Sequence, residues 1–310
     1  MTQISEALEP ATPTPTAPDP DAVGSGGLWH SAWRRLRRNP TAIAGAVIVL
    51  AFLLVALFAP LIAPGTPGVP LPNSGVTPSS VPGPSPGHPL GLDSPGTDLL
   101  TQLVFGARQS LLIGVVSTAL GLAGGAVLGV LAGGIGGWVD TVVMRLVDIL
   151  LSIPSLLLAV SVAAVLGQRP ISVMIAIAAA QVPIFARLLR GSMLAQRGSD
   201  YVLAVHSLGV RRRTVVMSHL LPNSLGPVIV QATLTLATAI IEVAALSYLG
   251  LGASNPSTAE WGRMLVNAQS RLATDPHLAI WPGACIAVTA LGFTLLGEAL
   301  REALDPKGRK

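Results

Sequence analysis

Six long apolar runs divide this chain, at residues 41–63, 111–131, 142–166, 171–189, 225–249 and 279–296. Each holds about 20 residues, close to what a helix rising 1.5 Å per residue needs to cross a hydrocarbon core of about 30 Å. The stretches between them differ in kind. Residues 1–27 are acidic and rich in Pro, Thr, Ala and Gly, a composition that buries no core, and are expected to form a disordered tail. Residues 28–63 join a basic juxtamembrane segment to the first run. The segment 64–107 is dense in Pro and Gly and is expected to be an extended external loop. The other five runs, within 108–306, enclose a polar, basic insert at 190–222, and 307–310 form a short tail. The pattern predicts an all-α integral membrane protein with six spanning helices.

Charge orients the bundle. Arg34, Arg35, Arg37 and Arg38 precede the first run, Arg211, Arg212 and Arg213 lie in the central insert, and Lys307, Arg309 and Lys310 close the chain. Basic residues are retained on the cytoplasmic side, so both termini and the 190–222 insert are expected inside the cell, in the plasma (inner) membrane. That leaves only Arg108, Arg169, Arg263 and Arg271 outside. The inverted arrangement would export most of the positive charge.

Composition sharpens this picture. Hydrophobic residues make up 51% of the 310 positions and charged residues 11%, with a mean hydropathy of +0.65. A soluble domain carries roughly a quarter charged residues. The net charge of +4 sits beside membrane spans, where it contacts anionic lipid, and no aromatic-rich basic face suggests nucleic acid. Cys285 is the single cysteine, so no intrachain disulfide can form. The two lysines, Lys307 and Lys310, follow no Gly-rich strand-to-helix loop, which excludes a P-loop nucleotide site in this chain. The five histidines are scattered without metal-ligand spacing. No catalytic constellation stands out, and no cofactor or metal is expected to bind here.

The central insert carries the sharpest signal. In DYVLAVHSLGVRRRTVVMSHLLPN, Asp200 can cap a first helix, and Gly209 can end it in the left-handed region. Residues 211–219 can then form a second helix, with Pro222 stopping it. Leu203, Ala204 and Val205, then Gly209, then His219, Leu221, Pro222 and Asn223 repeat a known spacing. It resembles the cytoplasmic loop of permease subunits of peptide-type ATP-binding-cassette importers, which reads EAA, three residues, Gly, nine residues, Ile-x-Leu-Pro. Leu203 stands where the family carries Glu. With Asp200 as cap, position 203 would be the third helical residue, where Glu completes a reciprocal capping box. Its loss should cost the isolated helix about 0.5–1 kcal/mol, and implies docking through apolar contact or an ATPase groove altered to suit.

Other segments carry the same resemblance. His88, Pro89, Leu90, Gly91, Asp93, Gly96, Asp98, Gly106, Ala107 and Arg108 fit the second, C-type subunit of dipeptide and oligopeptide permeases, with Thr97 where Arg is common. VDILLSIPSLLLA, AIIEVAALSYLGLG and LGEALREALDP are also similar to that group. The resemblance implies a type I permease of six transmembrane helices with a cytoplasmic coupling helix–turn–helix. It implies a second homologous permease, two ABC ATPase subunits that bind ATP and Mg, and an extracytoplasmic solute-binding protein. The coupling residues would be Asp200, Leu203, Ala204, Gly209, Arg211, Leu221, Pro222 and Asn223. The substrate implied is a di- or oligopeptide, with nickel, glutathione or another small solute as the alternative. A secondary transporter or a non-transporting scaffold are the other classes, and the former should show internal repeats.

Three further patterns are read from spacing. Gly121, Gly125 and Gly129, continued by Gly133 and Gly137, make a smooth helical stripe suited to close packing within the bundle or against a partner. Thr235, Thr238 and Glu242 fall on one helix face. A carboxylate at membrane depth costs about 3 kcal/mol unless paired or hydrated, so Glu242 is either a protonated or hydrogen-bonded structural residue or a pathway or gating residue, and this face is the candidate translocation surface. Arg145 and Asp148, three apart, read as a local ion pair. Apart from spacing, Trp261 in the external segment 255–265 reads as an interfacial anchor, while the resemblance implies a loop near where a binding protein docks.

Overall fold

The computed structural model describes residues 28–72, 74–77, 80–252 and 258–304. The tails 1–27 and 307–310, the end of LGEALREALDP and Asn255 lie outside the described residues. The described chain is helical, and its β-pairing is confined to isolated bridges in the loop before residue 99.

The basic segment forms α1 (Leu28–Leu36). Asn39 then caps α2 (Pro40–Leu57), its side-chain oxygen accepting the Thr41 N–H at 2.9 Å, while Pro40 sits in the first turn where no N–H is needed. The first run is therefore an 18-residue helix followed by the single turn α3 (Ala59–Ile62), with Pro60 at the break. The second run extends further toward the N-terminus than its apolar residues suggest. Asp98 caps α4 (Leu99–Val130), its carboxylate accepting the Thr101 N–H and hydroxyl at 2.7 Å each. Helix geometry continues through a wide π-helical turn to Ile135, 37 residues in all, or about 55 Å.

The third run is not one helix. α5 (Gly137–Leu151) and α6 (Ser155–Leu166) meet at 92°, with Pro154 at the corner. Proline has no N–H for the ladder and disfavours helical geometry in the residue before it, so the expected continuous span 142–166 breaks there. α7 (Pro170–Arg197), α8 (Asp200–Ser207), α9 (Arg212–Thr214), α10 (Leu221–Tyr248), α11 (Trp261–Ala268) and α12 (His277–Leu304) complete the order. Among the described residues five helices are long and apolar enough to cross a membrane, or six with the bent α5–α6 pair counted as one span.

The bundle is organised around α4 and α7. A Cβ added to Gly121 would lie 2.8 Å from Gln181 Cβ, one on Gly125 2.4 Å from Phe185 Cβ, and one on Gly129 2.9 Å from Leu189 Cβ. The four-residue period of the glycines meets the four-residue period of α7, so the two backbones approach without a clash. The stripe is thus spent inside this chain. Buried residues form three clusters along the bundle. One surrounds Trp261 at the end distal to the arginine-rich insert, one lies at mid-depth around Ile113, Ile177 and Val243, and one surrounds Phe185, Met193 and Val202 at the insert's end.

Candidate coupling and pathway sites

The insert between α7 and α10 folds as two helices and a turn, but its details differ from the sequence reading. Ser199, not Asp200, occupies the cap position of α8, and Asp200 is the first helical residue. Leu203 is therefore the fourth helical residue, not the third. A Glu there would not complete a capping box, and the expected penalty for its absence does not apply. Gly209 does end the helix in the left-handed region, at φ +72°, with its N–H donated to His206 O at 3.0 Å.

Pro222 does not stop the second helix. Arg211 caps α9, which passes through a π-helical turn, Val215–Leu220, directly into α10, with Pro222 in that helix's first turn. The Leu221 N–H reaches back to Val216 O, five residues away, so the ladder is already widened where proline contributes no donor. Asn223 Nδ2 donates to His219 O and Ser224 Oγ to Leu220 O, at 2.7 Å each, supplying side-chain donors to carbonyls beside the proline.

The element has a core side and an open side. Val202, Val215, Val216 and Leu220 are buried against Leu189 and Met193 of α7. Facing outward are Leu203 (53% exposed), Leu208 (80%) and Met217 (51%), with Ala204, Gly209, Arg211 and Arg213 also exposed. The packing fixes the two helices as one body, and the exposed apolar side chains leave a surface that the described residues do not cover.

Arginines tie this end together, and the sequence reading missed them. Arg197, the last residue of α7, donates to Gly133 O, and to Gly134 O at 3.1 Å, while Arg212 donates to Ile135 O. Arg190 clasps Asp140 through two hydrogen bonds, one of them 2.7 Å. Asp148 pairs with Arg187 on α7 and not with Arg145, so the expected local pair is instead a bridge between helices. Three arginines in a row read as a topology signal; only the fold reveals that one of them, Arg212, binds a backbone carbonyl at the end of another helix.

The pathway candidates lie on α10. Thr235 is buried and accepts a 3.2 Å hydrogen bond from Gln231 Nε2; Thr238 is exposed and donates to Thr235 O at 2.9 Å. Glu242 is half-buried, with Oε1 accepting from Ser155 Oγ at 3.1 Å and Oε2 without a hydrogen-bond partner among the described residues. The three share a stripe in register but not one environment. Ser155 opens α6 just after the Pro154 corner, so Glu242 joins α10 to the broken span.

At the opposite end, Trp261 is fully buried and is no interfacial anchor. Its Nε1–H donates to Leu103 O at 3.0 Å, its ring meets Phe52 edge-on at 5.7 Å, and a Cβ on Gly106 would lie 2.7 Å from it. Glu260 beside it, also missed in the sequence, is only 3% exposed and accepts from Ser247 Oγ at 2.6 Å. Burial pushes its carboxyl up to about 7 against the lowering effects of Ser247 and Arg263. Asp93 lines the same cavity of about 200 Å³, and burial raises its pKa too, opposed by hydrogen bonds from Thr97.

A helical bundle with a bent third span and a rigid two-helix element at its arginine-rich end is the architecture of a transmembrane permease of the ATP-binding-cassette importer type. The family described as binding-protein-dependent transport system inner membrane component matches residues 125–310, and the N-terminal TM domain of oligopeptide transport permease C matches 27–73. The chain is 40% identical over 297 residues to the dipeptide transport system permease protein DppC of Alkalihalophilus pseudofirmus, covering 96% of each chain. It is 38% identical over 279 residues to the glutathione transport system permease protein GsiD of Pectobacterium atrosepticum, covering 90% of this chain and 91% of that one. The GsiD of Escherichia coli O157:H7 is 41% identical over 279 residues, at 90% of each. Among solved structures, a chain of the MetNI methionine ABC transporter aligns with a TM-score of 0.56 at 19% identity, over 67% of this chain and 98% of its own, a likeness of fold. The chain belongs to the family of binding-protein-dependent transport system inner-membrane components.

Proposed function

We propose that this chain forms half of the translocation pathway of an ATP-driven importer of di- or oligopeptides. A second homologous permease supplies the other half, and an extracytoplasmic binding protein delivers the substrate. Two ATPase subunits, which hold ATP and Mg²⁺, dock at the arginine-rich end. The observation that carries this reading is the exposed face of α8, the turn after it and the π-helical turn Val215–Leu220: an element anchored by Val202 and Val215, with Leu203, Leu208 and Met217 turned out of the fold.

In this reading Ala204 and Gly209 let a partner approach closely, and Asp200 and Arg211 flank the contact. Leu221, Pro222 and Asn223 fix the passage into α10. Leu203 in place of Glu makes the contact chiefly apolar. ATP-driven closure of the ATPases would move the element as a body and switch the bundle between two packings. Thr238 and Glu242 would face the route, with Thr235 supporting them from within. The likeness to a dipeptide permease across 96% of the chain favours peptides; the glutathione permeases, at similar identity, make that γ-linked tripeptide the second reading.

Reconstitution with the partner permease, ATPases and binding protein tests the proposal. ATP-dependent uptake of a labelled dipeptide, displaced by unlabelled dipeptide and not by glutathione, is the expected result. Uptake of glutathione alone would move the chain to the second reading, and uptake independent of ATP would reject the importer altogether.

A further inference from the structure

The two arginines at the ends of the α8 insert bind the same place. Arg197 closes α7 two residues before the cap of α8, and Arg212 opens α9 just beyond the turn that follows it. Both guanidinium groups converge on the last turn of α4, where Arg197 takes Gly133 O and Gly134 O and Arg212 takes Ile135 O. Gly136, at φ +68°, marks the point: a Cβ there would lie 3.6 Å from Arg197 Nη1 and 3.7 Å from Arg212 Nη2.

The backbone at this place is unusual on both sides. α4 ends in the π-helical turn Leu131–Ile135, and the insert enters α10 through the π-helical turn Val215–Leu220. They touch, since a Cβ on Gly134 would lie 3.0 Å from Val216 Cγ1. Wide turns leave carbonyls poorly served by the helix ladder and recur at functional places in helices. Here the orphan carbonyls at a helix C-terminus, the negative end of its dipole, receive two cationic forks. The clasp of Arg190 on Asp140 holds the start of α5 to α7 in the same region.

We propose that Arg197 and Arg212 form a transmission joint that locks the coupling element to α4. The inference rests on the importer reading given above. Without the joint, α8 is linked to the bundle through its covalent continuations, α7 and α10, and through the buried valines. With it, displacement of α8 is passed also to the cytoplasmic end of α4. That helix lies along α7 through the glycine stripe, so α4 and α7 shift together. Both arginines are positioning residues: they contact backbone carbonyls of this chain.

The test compares Arg197→Gln, Arg212→Gln and the double variant in the complete complex. Each is read for recovery of ATPase subunits, ATP hydrolysis and substrate carried per ATP. The expected result is full recovery of the ATPases with transport per ATP reduced roughly tenfold in the double variant, within the usual range of coupling between sites. Arg212→Lys should restore part of the ratio, because a lysine can still serve one carbonyl but not as a fork. Arg145→Gln, at an exposed arginine of α5 that belongs to neither the joint nor the open face, should leave the ratio unchanged. An unchanged ratio in the double variant, with ATPases bound, overturns the joint. If the double variant fails to assemble, Arg212→Lys decides alone, and a wild-type ratio there counts against the proposal. Failure of the unmodified chain to carry ATPases would instead reject the importer reading on which the joint rests.

Discussion

The two ends of this bundle handle polar and apolar side chains in opposite ways. At the arginine-rich end, Leu203, Leu208 and Met217 lie open while arginines are spent on backbone carbonyls. At the other end, Trp261 is fully enclosed and the carboxyls of Glu260 and Asp93 are buried around a small cavity. One end is incomplete as a surface and complete as a scaffold. The other encloses its aromatic core, while Leu249 (57%) and Leu272 (50%) stay exposed there. Under the proposed function the open end is the docking surface and the enclosed core a structural one, and substitutions at the two ends should separate the properties.

The largest effect is expected at the closed end. Trp261→Ala removes a buried indole and its hydrogen bond to Leu103 O, and should cost about 3–5 kcal/mol of stability. Thermal unfolding of the purified permease in detergent measures this. A loss under about 1 kcal/mol would mean that the tight packing there is not a seal.

Glu260 should make that end pH-dependent. Its carboxyl is raised from 4.5 to about 7, so the folded state holds a proton that the unfolded state releases sooner. Stability from this group is intact below about pH 4.5, falls as pH rises toward 7 and is level above it. The whole swing is at most about 3 kcal/mol. The melting temperature of the unmodified chain should therefore decline between pH 5 and 7, and Glu260→Gln should flatten that part of the curve. An unaltered slope in the variant would assign the dependence to other groups.

A third substitution probes the seam joining the ends. Gly125→Ala places a methyl 2.4 Å from Phe185 Cβ and 2.8 Å from Val182 O, and backbone cannot swing away as a side chain can. Separation of α4 from α7 should cost about 1–3 kcal/mol, read again by thermal unfolding. Gly209→Ala, where no atom lies within 4 Å, is strained only by its φ of +72°, about 1 kcal/mol.

The smallest change in stability, and the sharpest for the comparison, belongs to the open end. Leu208→Ser should alter the stability of the isolated permease by no more than about 0.5 kcal/mol, since the side chain is already 80% exposed. Its effect should appear in the amount of ATPase that stays bound during purification. A variant that melts early but keeps its ATPases would reverse the assignment of the two ends.

Much of this was legible before any fold was known. Apolar runs locate the spans, Gly209 marks the end of α8, and the glycines from 121 to 129 foretell a close helix pair. Prolines were the main source of error, because the residue alone does not state its consequence. Pro154 sits at a 92° corner, whereas Pro183, Pro227 and Pro282 lie inside continuous helices and Pro222 in the first turn of one. Near Pro222 the ladder is already widened, with the Leu221 N–H on Val216 O, and Asn223 and Ser224 donate to His219 O and Leu220 O. Trp261 was misplaced for a similar reason. A tryptophan at the edge of a membrane segment has two homes, and Gly106 opposite it, far away in sequence, makes room for the buried one. The Arg197 and Arg212 contacts were invisible because their acceptors are backbone oxygens, which carry no sequence signature, and the Arg190–Asp140 and Arg187–Asp148 pairs because they join helices far apart in sequence.

The central claim, that the open end is a docking surface for ATPase subunits, is tested most directly by purifying the chain from its own membranes in mild detergent. The account predicts that a second permease and P-loop ATPases travel with it, and that Leu208→Ser releases the ATPases while retaining the permease partner. Recovery of the unmodified chain without any ATPase, from membranes in which a control complex stays whole, would contradict it.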